Sequence, residues 1–96
     1  MSDRLHTHNY IDETTFVDGH LHRMWGVTSA EPFTPGHVHH MSGNTTLDDG
    51  HFHVYDVITS PGRRKGPHGH FHEYRGDTQV AEEHTHGFRG FTSLAL

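Results

Sequence analysis

The sequence predicts an all-β protein of three tandem hairpin repeats, whose six His-x-His strands form a small pseudo-threefold barrel or prism, or else an extended repeat array. The chain of 96 residues contains 14 histidines and no cysteine, and six His-x-His pairs recur along it at regular spacing. Between them, short segments alternate between polar residues and Thr, Val, Phe or Tyr. Such alternation, interrupted by Gly, Asp and Asn, is typical of strands and turns rather than helices.

The composition predicts a single domain over residues 1–96 that is stabilised by more than an apolar core. Its apolar content of 30% lies well below the roughly 45–50% of ordinary globular domains. The absence of cysteine excludes both disulfides and thiolate metal sites. Small domains without disulfides rely on metal ions or on oligomerisation, and this chain has an excess of the residue that binds metals.

The charge balance argues against a nucleic acid as partner, and the lack of a run of about 18 apolar residues argues against a membrane. The formal net charge is −5, whereas phosphate binding requires clustered Lys and Arg. The one basic cluster, Arg63-Arg64-Lys65, lies in a Gly/Pro-rich segment and is predicted to be a solvated loop. We recognise no signal peptide and no transmembrane segment, so we expect a soluble protein, and its compartment stays open.

The histidine pairs divide the chain into three related units, of about residues 6–36, 37–69 and 70–96. Each unit begins with one His-x-His pair and carries a second that starts 14 residues later. A threonine follows the first histidine of every pair by eight positions. Six pairs in register with a common threonine indicate an internal repeat rather than an effect of composition. These threonines are Thr14, Thr28, Thr45, Thr59, Thr78 and Thr92.

Each unit is predicted to fold as a hairpin. The turns are expected near Glu13, Gly43-Asn44 and Gly76-Asp77. In that register the two pairs of one unit lie opposite each other, with His6 facing His20 in the first unit. A register shift of one residue would send the two pairs to opposite faces, and the constant spacing favours the aligned arrangement.

One strand face is predicted to carry the histidines together with the most regular apolar residues. Four positions after the first histidine of each pair stand large side chains: Tyr10, Met24, Met41, Tyr55, Tyr74 and Phe88. Ten positions after the first histidine of each unit stand Phe16, Leu47 and Val80. The two methionines are predicted to pack in the core rather than to bind copper, because Tyr and Phe occupy the equivalent positions.

The paired histidines predict more than one transition-metal ion per chain. Two imidazoles at positions i and i+2 of a strand can bind one ion, and neutral imidazole binds Zn, Cu(II), Ni, Co or Fe. Two pairs supply four nitrogens for a tetrahedral ion, and three pairs supply six for an octahedral ion. The two designs are three four-histidine hairpin sites and two six-histidine sites on a threefold axis, and sites shared within or between adjacent hairpins are favoured. The predicted ligands are His6, His8, His20, His22, His37, His39, His51, His53, His70, His72, His84 and His86.

A carboxylate stands two positions before the second pair of each unit, as Asp18, Asp49 and Glu82. It is predicted either to bind metal, to orient an imidazole, or to form a turn. His40 and His68 fall outside the regular set. Both are predicted to be surface residues.

The sequence favours a non-catalytic protein that binds several metal ions and is stabilised by them, because catalysis needs one distinctive open site. The alternative is a self-assembling filament or coat protein with metal as internal glue. Its apolar end, Phe91 to Leu96, would pair with the sheet edge of a neighbouring copy and give a homo-oligomer or filament. A cupin-like metalloenzyme is less favoured. The segment His70-x-His72-Glu73 is similar to the cupin motif, but cupins carry one such site in a larger fold.

The middle and final units, HVHHMSGNTTLDDGHFHVYDVITS and HFHEYRGDTQVAEEHTHGFRGFTS, resemble the YmaF-like family of small histidine-rich bacterial proteins. The likeness covers nearly the whole chain, in repeated His-x-His segments separated by turns rich in Thr and Asp. It implies a histidine-rich repeat protein and no particular activity.

Overall fold

The computed structural model describes residues 4–65 and 69–94, and these residues form an all-β fold, as predicted. The described part of the chain contains no helix, and hence none long and apolar enough to cross a membrane. Its ten strands are β1 (Leu5–His6), β2 (Asn9–Glu13), β3 (Arg23–Val27), β4 (Glu31–Pro32), β5 (His40–Asn44), β6 (Val54–Ile58), β7 (Arg63–Lys65), β8 (Gly69–Phe71), β9 (Glu73–Asp77) and β10 (Gly87–Phe91).

Three antiparallel hairpins form the body of the molecule. The first pairs β2 with β3, the second β5 with β6, and the third β9 with β10. Two shorter pairs are formed by β1 with β4 and by β7 with β8, and they contain His6 and His70. The basic segment Arg63–Lys65 is therefore strand β7 and not the loop that was predicted, although Arg63 and Arg64 are exposed.

The hairpin turns lie at Asp18-Gly19, Asp49-Gly50 and Glu82-Glu83, each enclosed by an isolated bridge. The predicted turns near Glu13, Gly43-Asn44 and Gly76-Asp77 were wrong, because those residues belong to strands. Both central residues of the first turn have positive φ, 55° at Asp18 and 81° at Gly19. This is the conformation of a type I′ turn, for which Asp-Gly is strongly preferred. As a result, His6 does not face His20.

A bulge precedes each turn and changes which side chains face inward. In the first hairpin Thr14 pairs with His22 and Val17 with His20, so that Thr15 and Phe16 lie opposite the single residue Leu21. An extra residue of this kind interrupts the alternation of the strand. Phe16, Leu47 and Val80 are consequently 69%, 69% and 71% exposed, and the prediction that they share the histidine face was wrong.

Backbone hydrogen bonds join the three hairpins to one another. The first hairpin is joined to the second, the second to the third, and the third to the first by bonds of 2.8 Å: Thr46 N–H to Arg23 O, Gln79 N–H to Val54 O, and Thr15 N–H to Gly87 O. Each sheet nevertheless keeps only two strands, and the described residues form no closed barrel. The molecule is elongated, with extents of 46 × 22 × 17 Å.

The buried apolar core lies in the middle of the hairpins. It consists of the six side chains that the four-residue offset predicts, all at most 5% exposed: Tyr10, Met24, Met41, Tyr55, Tyr74 and Phe88. The Tyr10 and Tyr55 hydroxyls share a hydrogen bond of 2.7 Å, and the Tyr74 hydroxyl donates to the Asp12 carboxylate at 2.9 Å. This core is thin for a domain of this length, and buried histidines flank it at both ends.

Candidate metal centres

The twelve predicted ligands form two clusters at opposite ends of the three hairpins. The first pairs of the three units form the first-pair cluster: His6, His8, His37, His39, His70 and His72. The second pairs form the second-pair cluster: His20, His22, His51, His53, His84 and His86. Within each cluster, one ligand nitrogen from every histidine lies within 4.8 Å of all the others.

The design with one four-histidine site within each hairpin was therefore wrong, and histidines of different hairpins come together. His8 pairs with Thr28 at the open end of the first hairpin, and His22 pairs with Thr14 at the turn end. The six residues from His8 to Thr14 span about 20 Å of extended chain, so the two pairs of one unit cannot share an ion. The equivalent pairs of different units meet instead.

The common threonine fixes the backbone of the inner histidine of each pair. Thr14 Oγ1 accepts a hydrogen bond from His22 N–H at 3.0 Å, and Thr14 N–H donates to the His22 carbonyl at 2.8 Å. All six threonines are at most 7% exposed. The same reciprocal contact recurs between Thr28 and His8, Thr45 and His53, Thr59 and His39, Thr78 and His86, and Thr92 and His72.

Backbone carbonyls determine which ring nitrogen carries the proton. A carbonyl oxygen only accepts, so each imidazole that contacts one through Nδ1 must donate from Nδ1–H. In the second-pair cluster all six do so at 2.8–3.2 Å, to the carbonyls of Asp18, Thr46, Asp49, Gln79, Glu82 and Thr15. In the first-pair cluster His8, His37, His39 and His72 donate in the same way, to Ser93, Thr34, Ser29 and Ser60. These contacts leave Nε2 with a free lone pair.

These lone pairs converge on the centre of each cluster. In the second-pair cluster Nε2 of His51 lies 3.2 Å from Nε2 of both His20 and His84. Since every Nδ1 is already a donor, neighbouring Nε2 atoms face each other as acceptors with no proton between them. Among the described residues, buried Nε2 atoms of His22, His53 and His72 have no hydrogen-bond partner. A cation satisfies such a set of acceptors.

The spacing of the nitrogens fits one six-coordinate ion in each cluster. Neighbouring Nε2 atoms lie 3.0–3.2 Å apart in the second-pair cluster and 3.1–3.2 Å apart in the first-pair cluster. Six nitrogens at octahedral corners with this spacing surround a point about 2.1–2.3 Å from each, close to the length of a metal–imidazole bond. The residues present therefore fit a transition-metal ion.

Burial lowers the pKa of the inner imidazoles. Desolvation is the largest cause for His8 and His72, whose pKa falls from 6.5 to about 4 although a backbone carbonyl opposes the shift in part. Desolvation likewise lowers the pKa of His22, His39, His53 and His86. At neutral pH these rings are consequently in the neutral form that binds metals.

The three carboxylates are turn residues that stand beside the second-pair cluster. Asp49 Oδ2 lies 3.4 Å from Nδ1 of His20, and Asp18 Oδ2 lies 3.4 Å from Nδ1 of His84. They contact the ring nitrogens that point away from the centre, where a carboxylate orients an imidazole rather than binding the ion. The two aspartate side chains are 66% and 67% exposed.

Two further described residues, His40 and Glu73, lie outside the two clusters. His40 is exposed and contacts the Asp56 carboxylate, as expected of a surface histidine. His68 lies outside the described residues. Glu73 of the cupin-like segment pairs with Arg63 and Arg89 at 3.0 and 3.1 Å instead of joining the cluster.

The sequence did not reveal Phe33 or the carbonyl partners of the imidazoles. The Phe33 ring stacks on His6 with ring centroids 3.8 Å apart, yet Phe33 belongs to no repeated position. The carbonyls are backbone atoms, which no side-chain pattern marks. The eight-residue threonine spacing was the one signal for the local framework of the clusters.

Comparison with known proteins identifies a family. No curated protein and no solved structure matches the chain significantly. Residues 1–61 match the YmaF family, described as spore germination protein GerY/YamF. The match covers the first unit and most of the middle unit and leaves the final unit outside. Because it spans more than half of the chain, this protein belongs to the YmaF family.

Proposed function

We propose that this protein binds two transition-metal ions, one in each hexahistidine cluster, and that the ions stabilise its fold without catalysing a reaction. The observation that carries this proposal is the convergence of six Nε2 lone pairs in the second-pair cluster, where every Nδ1–H is committed to a carbonyl. The chain has too little apolar core to replace such bonds, and imidazole–metal bonds supply the missing cross-links between hairpins.

The ligand count supports a non-catalytic role and narrows the choice of metal. Catalytic metal sites keep a coordination position open for water or substrate, whereas six imidazoles fill an octahedral ion. Structural Zn is almost always tetrahedral and Cu(II) prefers square-planar or tetragonal geometry. We therefore propose Ni(II), Co(II) or Fe(II) as the better-fitting ions of the set Zn, Cu(II), Ni, Co and Fe.

A pseudo-threefold arrangement of the three units accounts for the ligand sets. Each unit, of about residues 6–36, 37–69 and 70–96, gives its first pair to one cluster and its second pair to the other. The hydrogen bonds that join each hairpin to the next and the third to the first support the same arrangement. In this proposal both sites require all three units.

Metal stoichiometry tests the proposal. The purified full chain is loaded with Ni²⁺, desalted, and measured by native mass spectrometry and elemental analysis. We expect two ions per chain, and one ion in each of the variants His39→Ala and His53→Ala, which alter different clusters. The matched control His40→Ala removes an exposed histidine outside both clusters and should keep two ions. Fewer than one ion per wild-type chain would overturn the proposal.

Self-assembly is the second candidate function, and the outer face of the first hairpin favours it. Ile11 and Trp25 face each other across β2 and β3 and are 79% and 61% exposed, and Val27 beside them is 58% exposed. Exposed apolar clusters of this kind mark interaction surfaces. Sedimentation velocity of the metal-loaded protein tests it: we expect concentration-dependent association that Trp25→Asp abolishes. A strict monomer at high concentration would exclude this function.

The family is described as a spore germination protein. We therefore propose that metal binding by this chain acts in spore germination. The test is to replace the gene in a spore-forming host with the double variant His39→Ala/His53→Ala. We expect a germination defect, which the His40→Ala variant should not show. Normal germination with the double variant, at normal protein levels, would separate metal binding from that process.

A further inference from the structure

The two clusters have the same ligand set but different surroundings. Over the first-pair cluster, the Phe33 ring stacks on His6 at an interplanar angle of 24° and lies 5.7 Å from the His70 ring, centroid to centroid. Phe33 directly follows β4, which pairs with β1 and is thereby held beside His6. His6 Nδ1 is buried. An aromatic ring thus covers this cluster.

A second segment approaches the first-pair cluster from the side. A Cβ atom placed on Gly62 would lie 3.1 Å from His70 Cδ2 and 3.2 Å from His72 Cε1. Gly62 directly precedes β7, whose pairing with β8 fixes it against these rings. Backbone and an aromatic side chain therefore lie at the side and the outer end of this cluster. The Glu31 carboxylate, which interacts electrostatically with His39, accepts a hydrogen bond from the Ser29 hydroxyl at 2.7 Å.

The second-pair cluster opens into a surface depression with a different lining. Its walls alternate between the outer histidines and the turn carboxylates: Asp18, His20, Asp49, His51, Glu82 and His84. The His20 and His84 side chains are 11% and 9% exposed. Beneath them, His22 and His53 are fully buried, and their Nε2 atoms have no hydrogen-bond partner among the described residues. The depression therefore leads from an acidic rim to unsatisfied ligand nitrogens.

This difference has a kinetic consequence for a hydrated dication. Clustered carboxylates raise the local concentration of cations and increase association rates by about 10–1,000-fold, an effect that salt weakens. The rim also supplies oxygen atoms that replace water molecules as the ion moves inward. At the first-pair cluster a stacked aromatic ring lies against His6 instead.

We infer that the second-pair cluster is the exchangeable metal site, which loads and releases its ion through the carboxylate rim, and that the first-pair cluster retains its ion beneath Phe33. This inference rests on the proposed function and adds a division of roles: one ion holds the fold, and the other is available for transfer. Metal delivery or sequestration is the activity that such an exchangeable site supports.

Chelator-driven release tests the inference. The full chain is loaded with two equivalents of Ni²⁺, mixed with excess EDTA, and followed by stopped-flow absorbance. We expect two phases of equal amplitude whose rate constants differ at least tenfold. The fast phase should disappear in His53→Ala and the slow phase in His39→Ala, with folding of both variants checked by circular dichroism. Assignment of the slow phase to the second-pair cluster would overturn the inference.

Variants of the residues around each cluster test the cause of the expected difference in exchange rate between the two sites. Phe33→Ala should accelerate the slow phase about tenfold and leave the fast phase unchanged, Phe33→Leu should have a smaller effect, and the exposed control Phe16→Ala should have none. The triple variant Asp18→Asn/Asp49→Asn/Glu82→Gln should slow Ni²⁺ uptake at the fast site about tenfold and abolish its salt dependence. The control Glu13→Gln/Asp56→Asn/Asp77→Asn makes the same charge change on outward-facing residues. It should leave both the rate of Ni²⁺ uptake and its salt dependence unchanged.

The outcomes separate this inference from the proposed function. If the protein binds no Ni²⁺, the proposed function itself fails. If two ions bind and leave with a single rate constant, or if Phe33→Ala and the rim variant leave both phases unchanged, metal binding stands and the division of roles is wrong.

Discussion

Removal of the metal ions is expected to lower the free energy of unfolding by about 5 kcal/mol. A ligand that binds only the folded state at a free concentration of 100 times its dissociation constant stabilises that state by about 2.7 kcal/mol, and two clusters double this value. A domain of this size is stable by only about 5–15 kcal/mol in total. The metal-free protein is therefore expected to be close to unfolding.

The buried histidine nitrogens give a second estimate of the stability lost when the metal ions are removed. In the metal-free protein the buried Nε2 atoms of His22, His53 and His72 have no hydrogen-bond donor among the described residues. Each unsatisfied buried polar atom destabilises the folded state by about 1–3 kcal/mol. With three such atoms, the expected total matches the estimate from binding in its order of magnitude.

Thermal unfolding followed by circular dichroism measures the effect. For a domain of 60–100 residues 1 kcal/mol corresponds to about 4–8 °C, so we expect the chelator to lower Tm by about 20–40 °C. The His53→Ala variant should retain about half of this response, because one cluster remains, and His40→Ala should retain all of it. A change in Tm of less than about 5 °C upon chelation would refute the reasoning.

Three further predictions concern stability. Glu83 has a φ of 65° at the position where Gly50 has 82° in the second hairpin. Because the left-handed conformation destabilises a residue with a Cβ by about 1–2 kcal/mol, Glu83→Gly should raise the free energy of unfolding by about 1 kcal/mol and Gly50→Glu should lower it by about as much. Urea unfolding measures both changes, and the charge control Glu83→Gln should change little. Thr59→Val should lower the free energy of unfolding in urea by about 1–3 kcal/mol, because a buried N–H of His39 loses its acceptor. Thr59→Ser keeps the hydroxyl and should retain most of the wild-type stability. Equal losses in the two variants would contradict the argument. The pKa of His6, His8 and His72 is lowered to about 4 in the folded state. Because the folded state therefore binds protons less readily than the unfolded state, metal-free protein should lose stability as pH falls from about 6.5 towards 4. A urea midpoint independent of pH would exclude this role for the three imidazoles.

The local pattern of the sequence predicted the ligands and the core. Side chains two residues apart share a strand face, so the offset between His6 and Tyr10 was enough to place both on the inner side. The same offset identified all six core residues. The threonine spacing marked a structural contact, although its partner, the backbone of the inner histidine, was not foreseen.

The turn was misplaced because two local signals competed. Gly43-Asn44 and Gly76-Asp77 are plausible turn dipeptides, but they pair within strands, and the type I′ turns lie at Asp-Gly and Glu-Glu steps further along. The Glu82-Glu83 step carries no turn signal of its own. It adopts positive φ because the ladder on either side of it is already in register.

The sequence by itself determined which side chains face inward along each uninterrupted strand, because that property depends on a period of two residues within one strand; beyond the bulge it failed, as the exposed Phe16 shows. Only the tertiary structure decided how the histidine pairs combine, because the hydrogen bonds that set the register and join the hairpins connect residues far apart in the chain, such as Thr15 with Gly87. The grouping of the histidines by sixes, the donation of the inner Nδ1–H groups to carbonyls of distant residues and the aromatic cover on one cluster all depend on contacts between separate parts of the chain. No spacing along the chain records them.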